Sequence, residues 1–184
     1  MARTRTRDEI LTEAARLFAA VGFKGTSLND IAVAVGCSKA TLLYHFESKD
    51  AIFLALAEPS AQRLVALGDR LAALEDARAA QEAAIDGFVD LVLAFRQEIA
   101  LIYDQIPQLL ERPAFAHLQP VTTRLVAAFA GGTDDPLRQV AARVVLSGIC
   151  AVAIDKTDDV DELRTALVRV ARRALLTPDP KAKD

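Results

Sequence analysis

Cysteine and histidine are scarce in this 184-residue sequence, which contains two of each. Cys37 and Cys150 lie far apart and have no paired spacing, so the sequence predicts neither a disulfide framework nor a zinc site. The two histidines, His45 and His117, belong to no recognisable serine, cysteine or paired-carboxylate arrangement for catalysis. A glycine-rich phosphate-binding loop is also missing from the sequence. We therefore expect a protein that is not an enzyme and that holds no metal ion or cofactor.

Long uninterrupted hydrophobic runs are missing as well. The N-terminal stretch MARTRTRDEI is basic but has no apolar signal core behind it. No later run of about 18 uncharged apolar residues is present to span a bilayer. With unpaired cysteines, this pattern indicates a soluble protein of the reducing cytoplasm. The formal net charge of -3 opposes attraction of the whole chain to polyanions, but residues 1–50 carry +1 and the remainder -4.

The chain has the apolar residues of a folded helical protein. They make up 52% of the sequence, recur at helical spacing nearly everywhere, and nowhere alternate cleanly enough to indicate a sheet. We predict an all-α fold with a tri-helical domain at 1–50, a larger helical domain at 51–176 and a flexible tail at 177–184. In the larger domain, helices are expected at 60–74, 77–97, 98–111, 115–130, 136–155 and 159–176.

Helix starts and stops are marked clearly in the first 50 residues. The predicted starts are hydroxyl residues at N-cap spacing, and the predicted stops are glycines that can adopt the left-handed conformation. The starts are Thr6, Ser27, Ser38 and Ser48, and the stops are Gly22 and Gly36. A short helix, a glycine turn and a second short helix match the helix-turn-helix signature, whose second helix enters the major groove of DNA.

The predicted third helix separates anchoring residues from presented ones. Leu42 and Phe46 lie about 40° apart on one face, where they would fasten the helix to its neighbours. The residues expected to project outward are Ser38, Lys39, Ala40, Thr41 and Tyr44. Hydroxyls, lysine and tyrosine suit phosphate contacts, and a small alanine permits close approach to a base edge. Any capped short helix on a small bundle presents similar residue types, so this spacing alone leaves a plain structural interpretation open.

Further candidate DNA contacts lie outside the third helix. They are Thr26 and Ser27 at the start of helix two, Lys49 in the first turn of helix four, and the arginines Arg3, Arg5 and Arg7. Free amides at a helix start attract a phosphate, and a lysine beside them adds to that attraction. The arginines have the spacing of a disordered arm that follows the DNA backbone or enters the minor groove.

The segment from Ile10 to about Leu56 resembles the DNA-binding domain of TetR-family transcriptional repressors. The shared motifs include the corner from Phe18 to Gly25, the Asp30-Ile31-Ala32 helix, and the run from Gly36 to Lys49. The resemblance implies base and phosphate contacts from the third helix and phosphate contacts at the starts of helices two and four. By position, these contacts fall on Thr26, Ser38, Lys39, Thr41, Tyr44, His45 and Lys49.

Two positions depart from this family pattern. Leu43 stands where many relatives carry a tyrosine that contacts the DNA backbone, which leaves the role of Leu43 open. Pro59 lacks the amide needed for a continuous helix four, so we expect a kink or break there.

The resemblance also implies a C-terminal domain for dimerisation and ligand binding. Helices near 136–155 and 159–176 carry small residues and an apolar stripe, which favour pairing with a second copy across a two-fold axis. The alternative is that these surfaces only face the core of a monomer. A dimer would read two half-sites and so require a near-palindromic operator.

A ligand pocket has a weaker signal. Aromatic and polar residues between about 77 and 130, in a region where prolines distort helices, give the candidates Phe95, Tyr103, Gln108 and His117. An apolar stripe of this kind is also typical of plain core.

The sequence thus predicts a homodimeric, ligand-responsive DNA-binding regulator, acting as a repressor that a small-molecule effector releases from its operator. The alternative is a helical small-molecule-binding or enzymatic domain whose N-terminal module no longer binds DNA.

Overall fold

The computed structural model of the chain describes residues 2–103, 113–155 and 159–176. Within these residues every regular element is helical, and the predicted all-α fold is confirmed. The described residues divide into two compact units. The first unit comprises residues 2–59 and 97–103, and the second comprises residues 60–96, 113–155 and 159–176.

The helices follow one another along the chain with short connections. They are α1 (Ala2–Gly25), α2 (Leu28–Val35), α3 (Lys39–His45), α4 (Lys49–Ala72), α5 (Ala77–Ala94), α6 (Arg96–Ile102), a 3-10 helix (Pro113–Leu118), α7 (Gln119–Phe129), α8 (Pro136–Ile154) and α9 (Val160–Leu175).

The first unit has its core where α1, α2 and α4 meet. Phe18, Phe23 and Phe53 form an aromatic cluster with ring centroids 5.1 to 6.1 Å apart. Each of these rings is buried, and Ile10 and Ile31 extend the same core. The cluster holds the turn between α1 and α2 against the first part of α4, and therefore fixes the start of α2.

The starts and stops of the short helices agree with the sequence signals. Ser27 caps α2, Ser38 caps α3, and the amide of Ala51 donates to the hydroxyl of Ser48 at the start of α4. Gly36 ends α2 with a left-handed φ of 75°. In α1 the backbone leaves helical geometry at Gly22, with φ 79° and ψ 161°, as predicted for its stop.

Two predictions about helix continuity are wrong. Helix α1 begins at Ala2, not at Thr6, so the segment expected to form a disordered arm is helical. Alanine and arginine are good helix formers and nothing before Thr6 breaks a helix. Helix α4 runs from Lys49 to Ala72 with Pro59 inside it, so the expected break is absent, and a kink at Pro59 stays a prediction. A proline removes one backbone hydrogen bond, and the buried apolar residues on both sides of it, among them Phe53 and Leu67, keep the helix packed.

The second unit is built around α5, which packs against α7, α8 and α9. Its inner face is apolar and includes Ile85, Phe88 and Val92. On its outer side, Asp90 accepts hydrogen bonds from Arg164 Nε and Nη2 at 2.6 and 3.3 Å, and Asp86 accepts from Arg172 Nη2 at 2.7 Å. These ion pairs fix α9 along α5.

Some helix ends in the second unit differ from prediction. Helix α5 stops at Ala94, and the helix expected from 115 begins instead as the 3-10 helix Pro113–Leu118 before α7. Prolines at 113 and 120 restrict the backbone in this stretch, which favours an irregular first turn. Residues 104–111 of the helix expected at 98–111, and the tail at 177–184, lie outside the described residues.

Among the described helices, α8 is long and apolar enough to cross a bilayer, judged by length and composition alone. This is an exception to the expectation drawn from the sequence, where Arg138 and Arg143 interrupt the apolar run. Four of its residues, Ala142, Ile149, Cys150 and Ala153, are buried in the core of the second unit.

Candidate nucleic-acid interface

Helix α3 is the centre of the candidate interface. The Ser38 hydroxyl accepts a hydrogen bond from the amide of Thr41 at 3.0 Å and so starts the helix. The helix ends at Phe46, whose amide donates to the carbonyl of Leu42. With Gly36 making the turn after α2, these contacts define a helix-turn-helix over residues 28–46.

The burial pattern of α3 separates its two faces. Leu42 is 0% exposed and Phe46 is 5% exposed, so both anchor the helix in the first unit as predicted. The expected outward residues, Ser38, Lys39, Ala40, Thr41 and Tyr44, are all exposed, and His45 is half-buried. Leu43 is 41% exposed and lies with the outward residues rather than with the anchors.

Side chains on the exposed face of α3 contact one another in the protein without DNA. The hydroxyls of Ser38 and Thr41 lie 2.8 Å apart in a hydrogen bond. The rings of Tyr44 and His45 meet edge to face at 5.3 Å. Because these contacts restrict side-chain rotation, the face would lose less conformational freedom on binding than a row of unrestrained side chains.

The start of α2 is arranged differently from the sequence-based expectation. Thr26 is 2% exposed, and its hydroxyl donates to the carbonyl of Gly22 at 2.9 Å instead of projecting outward. Ser27 is exposed but forms a capping box with Asp30, whose carboxylate accepts from the Ser27 amide and hydroxyl at 2.8 and 2.7 Å. The Ser27 hydroxyl bond, followed by the backbone bond, lowers the pKa of Asp30.

The ammonium group of Lys49 is bonded to the protein itself and does not project freely into solvent. Its ammonium donates to the carbonyls of Phe23 and Thr26, both at 2.6 Å, and lies 4.4 Å from the centroid of the Phe23 ring. The side chain is half-buried, whereas Lys39 at the start of α3 is exposed. The two lysines, each the first residue of its helix, therefore have opposite environments.

The arginines expected in a disordered arm belong to α1. Arg7 is exposed, and its guanidinium lies 5.1 Å from the centroid of the Phe46 ring at the end of α3. This contact places a cation beside the C-terminal end of α3. Arg3 and Arg5 are in the first turns of α1, and their side chains lie outside the part of the chain that the structure describes.

The ligand candidates do not form a described site. Phe95 is half-buried at the end of α5, Tyr103 is half-buried in the first unit, and His117 is exposed in the 3-10 helix. Gln108 lies outside the described residues. A ligand site at these residues stays a prediction.

Sequence reasoning missed the acceptors around Lys49 and the partner of Arg7. The carbonyls of Phe23 and Thr26 are backbone groups, and backbone acceptors leave no trace in a side-chain pattern. The one available signal was Gly22 close before Thr26, which indicates a sharp corner rather than an open helix start.

The fold and this face are those of a helix-turn-helix unit, the kind of unit that places its second helix in the major groove of DNA. Residues 10–56 match the family described as bacterial regulatory proteins, tetR family. This part of the chain is therefore similar to a family whose members are transcriptional regulators rather than enzymes.

A curated transcriptional regulator is similar to part of the chain. Over 47 residues the chain is 47% identical to IcaR of Staphylococcus aureus (strain Newman), a negative transcriptional regulator of the biofilm operon icaADBC. That match covers 26% of this chain and 25% of IcaR, so the chain spans about a quarter of the length of this curated relative.

Solved structures share the fold over most of the chain. PfmR, a TetR-family regulator of Thermus thermophilus, has a TM-score of 0.64 at 25% identity, with 89% of this chain and 97% of PfmR covered. AibR, solved in complex with isovaleryl coenzyme A and operator DNA, has a TM-score of 0.63 at 20% identity, with 90% and 97% covered.

Proposed function

We propose that the chain is a DNA-binding transcriptional repressor that reads its operator with α3. The observation that carries the proposal is the division of this helix into two buried anchors, Leu42 and Phe46, and an exposed face of hydroxyls, lysine and tyrosine. Such a face offers donors and a cation to phosphates and a close approach at Ala40 to a base edge. The name of IcaR, a negative regulator, supports repression over activation.

The proposed repressor is a homodimer that pairs through α8 and α9. Leu137, Val140 and Val144 of α8 are each more than half exposed and lie on one side of the helix. Gly148 continues this row, and a Cβ added there would meet no atom within 4 Å. Val170 of α9 is also mostly exposed. A row of apolar and small residues permits two helices to approach closely, and a second copy of the chain is the partner that would cover it.

Two copies related by a two-fold axis would present two copies of α3. The operator is then near-palindromic, with half-sites separated by about one helical turn of DNA or a multiple of it. Most of the α3 contacts would be to phosphates, so affinity falls steeply as salt rises.

A small-molecule effector would reduce the affinity for DNA by favouring a conformation that fits the operator poorly. Support comes from the shared fold with AibR, whose structure contains both isovaleryl coenzyme A and operator DNA. Thermal-shift screening against a metabolite set tests this part, because an effector that binds the folded protein raises its melting temperature.

Selection of bound duplexes from a random DNA pool tests the central proposal. We expect an enriched near-palindromic motif, and we expect Lys39→Ala, Thr41→Ala and Tyr44→Ala each to weaken binding to it by about tenfold or more. Arg63→Ala, which removes an exposed cation from the second unit, serves as the control and keeps wild-type affinity.

A pool that yields no motif would contradict the repressor assignment and favour a helical ligand-binding protein with an inactive DNA-binding module. An enriched motif that lacks two-fold symmetry would instead contradict the dimeric arrangement while leaving DNA binding in place.

A further inference from the structure

Lys49 lies at the point where α1, the turn before α2 and α4 meet. Its ammonium donates to the carbonyls of Phe23 and Thr26 at 2.6 Å each and faces the ring of Phe23. Phe23 is itself buried in the aromatic cluster with Phe18 and Phe53. The head group of Lys49 is thus bonded to the protein on the side where the chain turns from α1 into α2.

The turn at residues 22–27, here called the α1–α2 corner, supplies acceptors that the helices leave unused. Gly22 interrupts the helical backbone of α1, and the last carbonyls of a helix have no partner within it. The carbonyl of Gly22 accepts from the buried hydroxyl of Thr26. The carbonyls of Phe23 and Thr26 accept from Lys49 instead. A cation at this position also complements the negative end of the α1 dipole.

The corner determines where the reading helix lies. Ser27, the N-cap of α2, follows Thr26 directly, and α2 is only eight residues long before Gly36 turns the chain into α3. A displacement of the corner therefore moves the start of α2 and, with it, the exposed face of α3. Charge-assisted hydrogen bonds are about twice as strong as neutral ones, so two of them at one ammonium hold the corner firmly.

We infer that Lys49 is a positioning residue that fastens the α1–α2 corner to the start of α4, and that it is not a phosphate contact. This inference rests on the proposed DNA-binding function, because positioning matters only if α3 reads DNA. It assigns the phosphate contacts of the first unit to other groups, with Lys39 as the lysine on the exposed face.

Lys39 provides a matched control for a measurement on DNA. Each lysine is the first residue of its helix, but only Lys39 is exposed. The affinity of the wild type, Lys39→Met, Lys49→Met and Lys49→Arg for the selected operator is measured as a function of salt. Circular dichroism establishes that each variant is folded at the temperature of measurement.

The salt dependence separates the two roles. Lys39→Met should reduce the slope of log K against log salt by about 0.9 for each phosphate that the variant no longer neutralises. Lys49→Met should keep the wild-type slope but lower the affinity by about tenfold or more, since it removes two hydrogen bonds to a charged group. Lys49→Arg, which retains donors for the carbonyls, should recover part of that affinity. A reduced slope in Lys49→Met, or unchanged affinity in a folded Lys49→Met protein, would overturn the inference.

A second measurement needs no DNA and no variant. Reductive methylation of the wild-type protein, followed by mass spectrometry, should modify Lys49 at least about tenfold more slowly than Lys39, because each bond from its ammonium must break first. Equal rates would refute the positioning role whether or not an operator exists. Failure to select any DNA motif would instead refute the proposed function while leaving the slow methylation of Lys49 as expected.

Discussion

Gly22 has a backbone conformation that strongly restricts substitution. With φ 79° and ψ 161° it occupies a region that is open essentially to glycine alone. We predict that Gly22→Ala destabilises the folded protein by about 1 to 3 kcal/mol, although a Cβ there would meet no atom within 4 Å. Thermal and urea unfolding followed by circular dichroism measure the loss.

Gly25 is the matched control for this substitution. A Cβ there would meet Val21 at 3.6 Å, an ordinary contact, and the residue has no positive φ. Gly25→Ala should leave stability unchanged or raise it slightly. Equal destabilisation by both substitutions would show that space, not backbone conformation, limits the corner.

The two cysteines should differ sharply in reactivity. Burial raises the pKa of the Cys150 thiol to about 11, so almost none of it is ionised at neutral pH, whereas Cys37 is partly exposed. Because the thiolate is the nucleophile, iodoacetamide at neutral pH should label Cys37 first and Cys150 only slowly. Mass spectrometry of the native protein checks this order. Labelling in denaturant, where both thiols should react, is the control.

At the scale of single residues, sequence predicted the types on the exposed face of α3 but not all of the environments around it. Leu42 and Phe46 followed from helical spacing, which is local. The inward turn of the Thr26 hydroxyl depends on the corner at Gly22, four residues earlier. The carbonyl partners of Lys49 depend on how segments 23 and 26 residues apart meet, and no local pattern contains that information. Sequence likewise could not show whether Leu43 is buried or exposed, because this depends on how α3 packs against its neighbours.

Among the elements, α2 depends most clearly on its capping residues. Hydrogen bonds from Ser27 hold the pKa of the Asp30 carboxyl below its usual value of 3.8. A pKa that is lower in the folded state means that the carboxylate stabilises the fold above its unfolded pKa. That contribution is lost as the pH falls through the lowered folded-state value.

We therefore predict that Asp30→Asn lowers the melting temperature at neutral pH and that the difference from wild type narrows in acid. A protonated Asp30 and an asparagine are close in shape and charge, so the two melting curves should converge below the folded-state pKa. The exposed Asp134→Asn, in a loop, is the control and should show no such convergence. A constant difference at all pH values would exclude ionisation of Asp30 as the cause.

Helix α4 shows why a proline signal alone does not end a helix. Pro59 removes one intrahelical hydrogen bond, a local effect that sequence captures. The apolar residues that keep both sides of α4 packed are distributed over the whole helix, and their burial became visible only in the fold. Similarly, the basic N-terminal residues looked like an arm because of their charge, while their helix-forming tendency determined the structure.

For the whole molecule, the exposed apolar row on α8 leads to a prediction about oligomeric state. Val144→Glu would place a charge in the middle of the proposed interface, and two-fold symmetry would place it there twice. We expect the dimer dissociation constant to rise by at least about tenfold, because central interface residues contribute most to binding. Size-exclusion chromatography with light scattering, over a range of concentrations and without detergent, measures the change.

Val33→Glu is the matched control for that experiment. Val33 is a similarly exposed valine, but it lies on α2 in the first unit. Its substitution should leave the mass of the protein in solution unchanged. A wild-type protein that is monomeric at all concentrations would contradict the assignment of the α8 row to a second copy.

The overall helical architecture was accessible from sequence because helical periodicity repeats along nearly the entire chain. Sequence did not show which apolar residues of α8 and α9 are buried in the protomer and which are exposed. Periodicity shows that one side of a helix is apolar, but it does not show what covers that side. Leu167 and Leu175 of α9 proved to be core, whereas Val170 on the same helix is exposed.

Gly148 illustrates a conflict between the protomer and its proposed assembly. A glycine inside a helix is less favourable than alanine by about 1 kcal/mol, and at this position the protomer itself would accommodate the extra methyl group. Natural selection on an isolated chain would therefore have no reason to keep glycine there. Gly148→Ala should make the monomer more stable and the dimer weaker. One added methyl group would thus increase the free energy of unfolding of the monomer and decrease the affinity between the two copies.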